Sequence, residues 1–262
     1  MFAILSFFYG ASLGSFTQVL VTRLHVASIL NGRSKCLSCG EKLRWFDLIP
    51  VLSYLVLRGK CRTCKNSFGK EHLFVEILFG AVFVLVYYLV LAGRGVNVSS
   101  LLWLIYYSAL SISLGAITLY DLRHRLVPGF FFVVFLLLSL IAMVLRYATE
   151  NDPYTFLAPV LVASPFIVAF LVTKGRALGF GDILMYLAVG AFFGLEQGLA
   201  VLFLSVWIGG MVALILHIKN NTKYGMKYAL PFVPFITVAF LIVLFTDIDV
   251  ISIGQALTGW YY

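Results

Sequence analysis

The sequence predicts an all-α polytopic membrane protein: about eight transmembrane segments with one small cytoplasmic zinc-knuckle insertion. Three observations lead there. Mean hydropathy is +1.02, with 62% hydrophobic and only 11% charged residues, far outside the range of a soluble domain of 262 residues. Apolar runs recur at roughly the 20-residue length that a helix needs to cross a bilayer. All four cysteines fall in the one long polar connection, as two C-x-x-C pairs.

The predicted segments are 3–24, 73–91, 99–120, 129–147, 156–172, 183–195, 199–217 and 230–245. The first contains Gly10, Ser12, Gly14 and Ser15, small residues that let helices approach closely. Its basic residue, Arg23, follows the apolar run, the reverse of a secretory leader, so the segment is read as a retained helix. The sixth is a turn or two short and reads as a half-helix or a re-entrant piece packed inside the bundle. Pro231 and Pro234 predict a distorted start to the last segment, from irregular packing or as a groove wall. The chain thus divides into a first transmembrane helix (1–25), a zinc-binding insertion (26–72) and a transmembrane bundle (73–262).

Charge sets the orientation. With the N-terminus outside, every lysine and arginine except Arg94 and Arg146 falls on the inner side, while Glu150, Asp152, Glu196, Asp247 and Asp249 lie outside. The formal +8 then faces an anionic leaflet, which makes membrane lipid the expected partner. Nucleic acid is not expected, because the basic insertion is tethered between membrane helices and offers only Trp45, with Phe46 beside it.

Within the insertion, Cys36-Leu37-Ser38-Cys39 and Cys61-Arg62-Thr63-Cys64 have the spacing of a four-thiolate zinc knuckle, with Gly40 after the first pair for a tight turn. The segment is too small for a large core, so a metal would hold it together. Two disulfides are the alternative, disfavoured in a reducing cytosol; four thiolates leave no open position for a catalytic zinc. Residues 47–55 read as an apolar stretch with a short interfacial helix starting near Pro50, placed to dock the knuckle against the membrane.

Two aspartates stand where apolar segments meet short loops. Asp121, in Leu119-Tyr120-Asp121-Leu122-Arg123-His124-Arg125, closes the third segment, and Asp182, in Gly179-Phe180-Gly181-Asp182, opens the sixth. Both are predicted on the inner side at comparable depth. Asp182 meets the amide-rich start of a helix and Asp121 the end of one, so the local fields differ in sign. Two carboxyls sharing a site cannot both ionise cheaply. One then draws a proton from water while the other donates to a carbonyl oxygen, the chemistry of an aspartyl protease. Taken singly, each aspartate reads as a cap or interface residue, Asp182 as an ordinary N-cap. Glu76, one turn inside the second segment, reads either as part of a polar site or as the partner of an arginine such as Arg23; Gln18 has similar status. The histidines (His25, His72, His124, His217) are scattered and no His-Glu-x-x-His occurs, which leaves a metalloprotease little to work with.

Together these residues resemble the bacterial type IV prepilin leader peptidases, membrane aspartyl proteases that process prepilins and type II secretion pseudopilins. Gly14-Ser15-Phe16 with Val19 and Arg23 is similar to the family's N-terminal signature. The cysteine pairs, with Trp45, Asp47-Leu48-Ile49-Pro50, Leu52-Ser53-Tyr54 and Arg58-Gly59-Lys60 between them, resemble its zinc-binding domain. Glu76, Asp121-Leu122, Gly179-x-Gly181-Asp182 and Pro231-Phe232-x-Pro234-Phe235 resemble its remaining motifs. The resemblance implies a bacterial inner-membrane enzyme that removes a basic leader after a glycine, using Asp121 and Asp182. It also implies structural Zn2+ on Cys36, Cys39, Cys61 and Cys64, and N-methylation of the new terminus with S-adenosylmethionine, for which Glu76 and Asp47 are candidates. Leu37, Gln18, Gly129 and Leu184 depart from the family's usual proline, asparagine, aspartate and lysine. A proton-coupled transporter would instead need carboxylates at mid-membrane and an internal repeat. A non-catalytic scaffold would tolerate loss of both aspartates.

Overall fold

The computed structural model describes residues 2–24, 34–36, 38–91, 97–176, 179–219 and 230–258. Within these, regular structure is helical, apart from two isolated antiparallel bridges, Lys35 with Lys42 and Lys60 with Ser67. The helices are α1 (Phe2–Arg23), α2 (Leu52–Val56), α3 (Lys70–Val90), α4 (Val98–His124), α5 (Gly129–Glu150), α6 (Ala158–Thr173), α7 (Phe180–Phe193), α8 (Leu195–Lys219), α9 (Val233–Thr246) and α10 (Val250–Thr258). Among the described residues, six spans are long and apolar enough to cross a membrane: α1, α3, α4, α5, α8, and Pro153–Thr173, which joins a 3-10 turn to α6. The two remaining predicted segments are the shorter apolar helices α7 and α9. Helices suit this setting because each satisfies its own backbone polar groups where no water can.

The chain forms two compact units, Met1–Ala116 and Ile117–Tyr262, so that α4 contributes to both. In the first, α1 lies along α3 on the predicted small-residue face. A Cβ at Gly10 would stand 2.5 Å from the Phe79 carbonyl oxygen, and one at Gly14 2.9 Å from the Phe79 side chain. Tyr9 packs edge-on against Phe83 and shares a 3.1 Å hydrogen bond with Ser108, which joins α4 to this pair.

In the second unit α7 is the central element, packed on α5, α6, α8 and α9 and buried from Met185 to Phe193 at most positions. Its 14 residues give a length of roughly 21 Å, short of the roughly 30 Å hydrocarbon core, as the weak sixth segment predicts. Gly190 lets it approach α6 so closely that a Cβ would lie 2.7 Å from the Pro159 Cα. Carbonyls at such an end need donors. Gly194, at φ 81°, turns the chain back and donates its N–H to the Gly190 carbonyl at 2.9 Å. The guanidinium of Arg146 on α5 donates to the Phe192 carbonyl, placing a cation at the negative end of the helix dipole. The sequence places Arg146 among the outer charges; the structure turns it onto a helix end.

Other boundaries shift by about a turn. Helix α4 continues to His124, so Asp121 lies in its last turn. Helix α10, absent from the sequence reading, starts with a reciprocal cap: Ser252 N–H donates to Asp249 Oδ1 at 2.7 Å, and Asp249 N–H to Ser252 Oγ at 3.1 Å.

Candidate functional site

The four cysteines meet. Their sulfurs all lie within 4.8 Å of one another, with Cys36 and Cys61 buried and Cys39 and Cys64 exposed, and all four are free thiols. Two matching turns assemble them. In one, Cys36 N–H donates to the Glu41 carbonyl and Gly40 N–H to the Cys36 carbonyl; in the other, Cys61 N–H donates to Asn66 and Lys65 N–H to Cys61. Gly40 and Lys65 hold equivalent left-handed positions, at φ 72° and 59°. Asn66 donates to Ser38 Oγ, tying the turns together. The Cys36 and Cys64 sulfurs are 3.8 Å apart. A tetrahedral zinc at about 2.3 Å from each sulfur requires an edge of about 3.8 Å, so the thiols present fit a four-coordinate ion. Amides of Cys39 and Ser38 donating to its sulfur pull the Cys36 thiol down to about 6, which favours the ligating thiolate.

The second unit brings Asp121 and Asp182 together. Asp182 is the third residue of α7; the N-cap is Gly179, not Asp182, and the carboxylate turns back to the Gly179 backbone, half of a capping box. Gly181 is required there by a close approach: a Cβ would stand 2.7 Å from Val127 Cγ2, in the loop that follows Asp121. The two carboxyls lie within range of each other's charge. Asp121, only 6% exposed, accepts a 3.2 Å hydrogen bond at Oδ2 from Val233 N–H, the first amide of α9. One turn back on α4 and one turn on along α9, the Thr118 and Thr237 hydroxyls meet at 2.7 Å.

Pro231 and Pro234 bracket the start of α9, and its first amide, that of Val233, is offered to Asp121. The sequence reading places Asp121 under the field of its own helix end alone; the structure adds the opposing field of α9. Sequence reasoning also missed the aromatic wall beside the pair. Tyr186, one turn beyond Asp182, stacks on Phe166 at 4.4 Å and faces Phe232 at 6.4 Å. Its hydroxyl donates to Ser205 Oγ at 2.6 Å, since Ser205 spends its own proton on the Leu202 carbonyl.

Glu76 and Asp47 belong to the first unit. Glu76 Oε2 accepts from Val51 N–H at 2.8 Å, so a backbone amide, rather than an arginine, is the described partner of this buried carboxylate. Val51 has φ 63° and ψ −53°, and Leu52 N–H closes onto the Pro50 carbonyl at 2.6 Å. That is a γ-turn of the rare positive-φ type, costing on the order of 1–3 kcal/mol for a β-branched residue. Asp47 pairs with Arg62 at 2.7 Å and receives Arg44 N–H at 3.4 Å. Gln18 donates to the His72 carbonyl at 3.2 Å, one turn before Glu76, and its Oε1 is buried without a partner among the described residues.

Gly10-Ala11-Ser12-Leu13-Gly14 has the spacing of a serine-hydrolase elbow, but it lies within α1, where Ser12 Oγ donates to the Phe8 carbonyl at 2.8 Å. It is helix interior, with no strand-to-helix turn.

Apolar helices long enough to span a membrane, carboxyls at the ends of two of the bundled helices and a thiolate cluster on an insertion define a polytopic membrane protein of the helical class. The Bacterial Peptidase A24 N-terminal domain matches residues 8–90, and the Type IV leader peptidase family matches residues 108–214. The chain belongs to the type IV leader peptidase family. It is 27% identical over 251 residues to the prepilin leader peptidase/N-methyltransferase of Vibrio cholerae, covering 89% of this chain and 92% of that one. It is 29% identical to the protein of the same description from Pseudomonas putida, over 87% and 76% of the two chains. Against the type 4 prepilin-like proteins leader peptide-processing enzyme of Escherichia coli, identity is 32% over 62% and 59%. No solved structure matches the chain.

Proposed function

We propose that this protein cleaves the leader peptide from type IV prepilins or pseudopilins and N-methylates the exposed amino terminus, with Asp121 and Asp182 as the catalytic pair. The observation that carries the reading is the meeting of these carboxyls from α4 and α7, with Asp121 braced on α9. One carboxylate takes a proton from water, whose oxygen attacks the scissile carbonyl as the other carboxyl donates its proton to the carbonyl oxygen. The tetrahedral centre then collapses, the C–N bond breaks, and the leaving nitrogen takes a proton from the pair. The two protons titrate as a property of the pair, not of either residue. Carboxylates held at helix ends, beside loops, also suit a peptide better than the mid-membrane path of a transporter.

Cys36, Cys39, Cys61 and Cys64 would hold structural Zn2+, which supplies a cross-link in place of a core and leaves no coordination position for water. For methylation, S-adenosylmethionine supplies the methyl group. Glu76 and the unpaired Gln18 Oε1 offer acceptors suited to its ammonium, and Asp47 braces that region through Arg62 and Arg44. The functional layout is a first helix at 1–25, a cytoplasmic zinc domain at 26–72 and a catalytic bundle at 73–262. The N-terminus lies outside a bacterial inner membrane, and the basic face lies on anionic lipid.

The test is a purified-enzyme assay on a prepilin peptide, read by mass spectrometry for cleavage and for methyl addition. Asp121→Asn and Asp182→Asn each lower cleavage by about 10²–10⁴-fold while methylation of an already cleaved peptide persists. Full cleavage by the double variant would end the proposal.

A further inference from the structure

The insertion carries an exposed apolar face that has no place in the chemistry above. Trp45 and Leu48 lie on one side of the 3-10 turn Trp45–Leu48, three residues apart and therefore eclipsed. Leu52, Leu55 and Val56 follow on α2 at the i, i+3, i+4 spacing of a single helix face. All five are exposed, Trp45 to 78% and Val56 to 76%. The intervening residues turn the other way. Phe46 packs beneath Arg44 and Arg62, at 5.8 and 5.1 Å, and Asp47 pairs with Arg62. Arg44 and Arg58, both exposed, bracket the apolar face.

We infer that this face is a membrane anchor, seated at the headgroup boundary of an anionic leaflet. Two observations choose lipid as the occupant. Arginines flanking a Trp- and Leu-bearing face have the composition of an interfacial element. Independently, the Val51–Glu76 hydrogen bond fixes the height of α2 against a membrane-spanning helix. Glu76 is the seventh residue of α3, roughly 10 Å along it from Lys70. An interfacial helix buries its apolar face about 5–10 Å into the boundary, which matches that height. Around Glu76, α3 itself exposes Phe74, Ile77 and Leu78, so the apolar face of α2 begins level with a surface already turned to lipid. The inference rests on the membrane reading of α3 and is independent of the peptidase assignment.

The experiment uses the full chain with Trp103→Phe, Trp207→Phe and Trp260→Phe, leaving Trp45 as the single tryptophan. It is placed in nanodiscs of phosphatidylcholine with phosphatidylglycerol, and prepilin cleavage by the same sample confirms that the bundle is intact. Lipids brominated near the glycerol should quench Trp45 emission about twofold, and lipids brominated at the chain ends much less. Adding Leu55→Asp and Val56→Asp should remove the quenching while cleavage of a short soluble peptide continues. Trp45 that is unquenched and open to acrylamide in the nanodisc would overturn the inference. So would a blue shift that appears only on adding prepilin, or only with rising protein concentration, which would make the face a substrate or self-association surface.

Discussion

The thiolate cluster and the aspartate pair are assembled by opposite means. Each C-x-x-C is shaped by a turn of a few residues closed by its own backbone hydrogen bonds, and the two turns need only meet. Asp121 has no such local frame, and Asp182 has only its half capping box with Gly179. Their positions follow from how α7 lies among its neighbours and from an amide of α9 far along the chain. A site made of turns survives or fails with its ligand, whereas a site made of helix packing survives or fails with the fit between helices.

That contrast can be broken most sharply by stripping the metal. Chelation, or Cys36→Ser with Cys61→Ser, should open the insertion to trypsin while the far-ultraviolet helical signal of the bundle stays, because an ion on the four thiolates would supply most of the insertion's folding energy. Simultaneous loss of both would show that the two sites are not built separately. Acid gives a graded version. Amides of Cys39 and Ser38 hold the Cys36 thiol at about 6 against an ordinary 9.0. A lowered value means that its contribution is complete above pH 9 and is lost as pH falls through 6. Metal release, followed with a chromogenic chelator, should rise on acidification as protons compete with the ion for the thiolates, with no matching loss of helix.

The bundle should answer to different changes. Arg146→Met removes the donor on the Phe192 carbonyl and should cost about 1.5–3 kcal/mol, seen as a lower Tm, with metal content unchanged. Gly190→Leu pushes a side chain into the Pro159 backbone and should cost about 1–3 kcal/mol by overpacking, again without touching the cysteines. The smallest effect belongs to the insertion. Lys65→Gly relieves a left-handed residue where the sister turn already has Gly40, and should strengthen resistance to trypsin by about 1 kcal/mol.

The same contrast explains what could be read beforehand. Cysteine spacing is a local property, so the cluster was legible residue by residue, down to the turn at Gly40. Hydrophobic run length is also local, and it located all eight apolar segments, including the shortness of α7. The aspartates were legible as types at helix ends. Their surroundings were not, because the Val233 amide, the Thr118–Thr237 contact and the Tyr186 wall arise from helices meeting across the bundle. The only trace of them in the sequence was Pro231 and Pro234, which announce a helix start without saying what it faces. Arg146 shows the same limit: a charge near a segment end reads as a boundary marker, and its bond to the end of a neighbouring helix that stops early leaves no mark in the sequence.

The brevity of α7 has a consequence for how the enzyme senses its surroundings. Helices bordered by acyl chains tilt when those chains lengthen or shorten. Helix α7, flanked by four others and closed at its far end by an arginine, is sheltered from that mismatch, so a thicker or thinner bilayer must first tilt its neighbours before Asp182 moves. The placement of Asp182 is thereby insulated from lipid composition by one layer of protein.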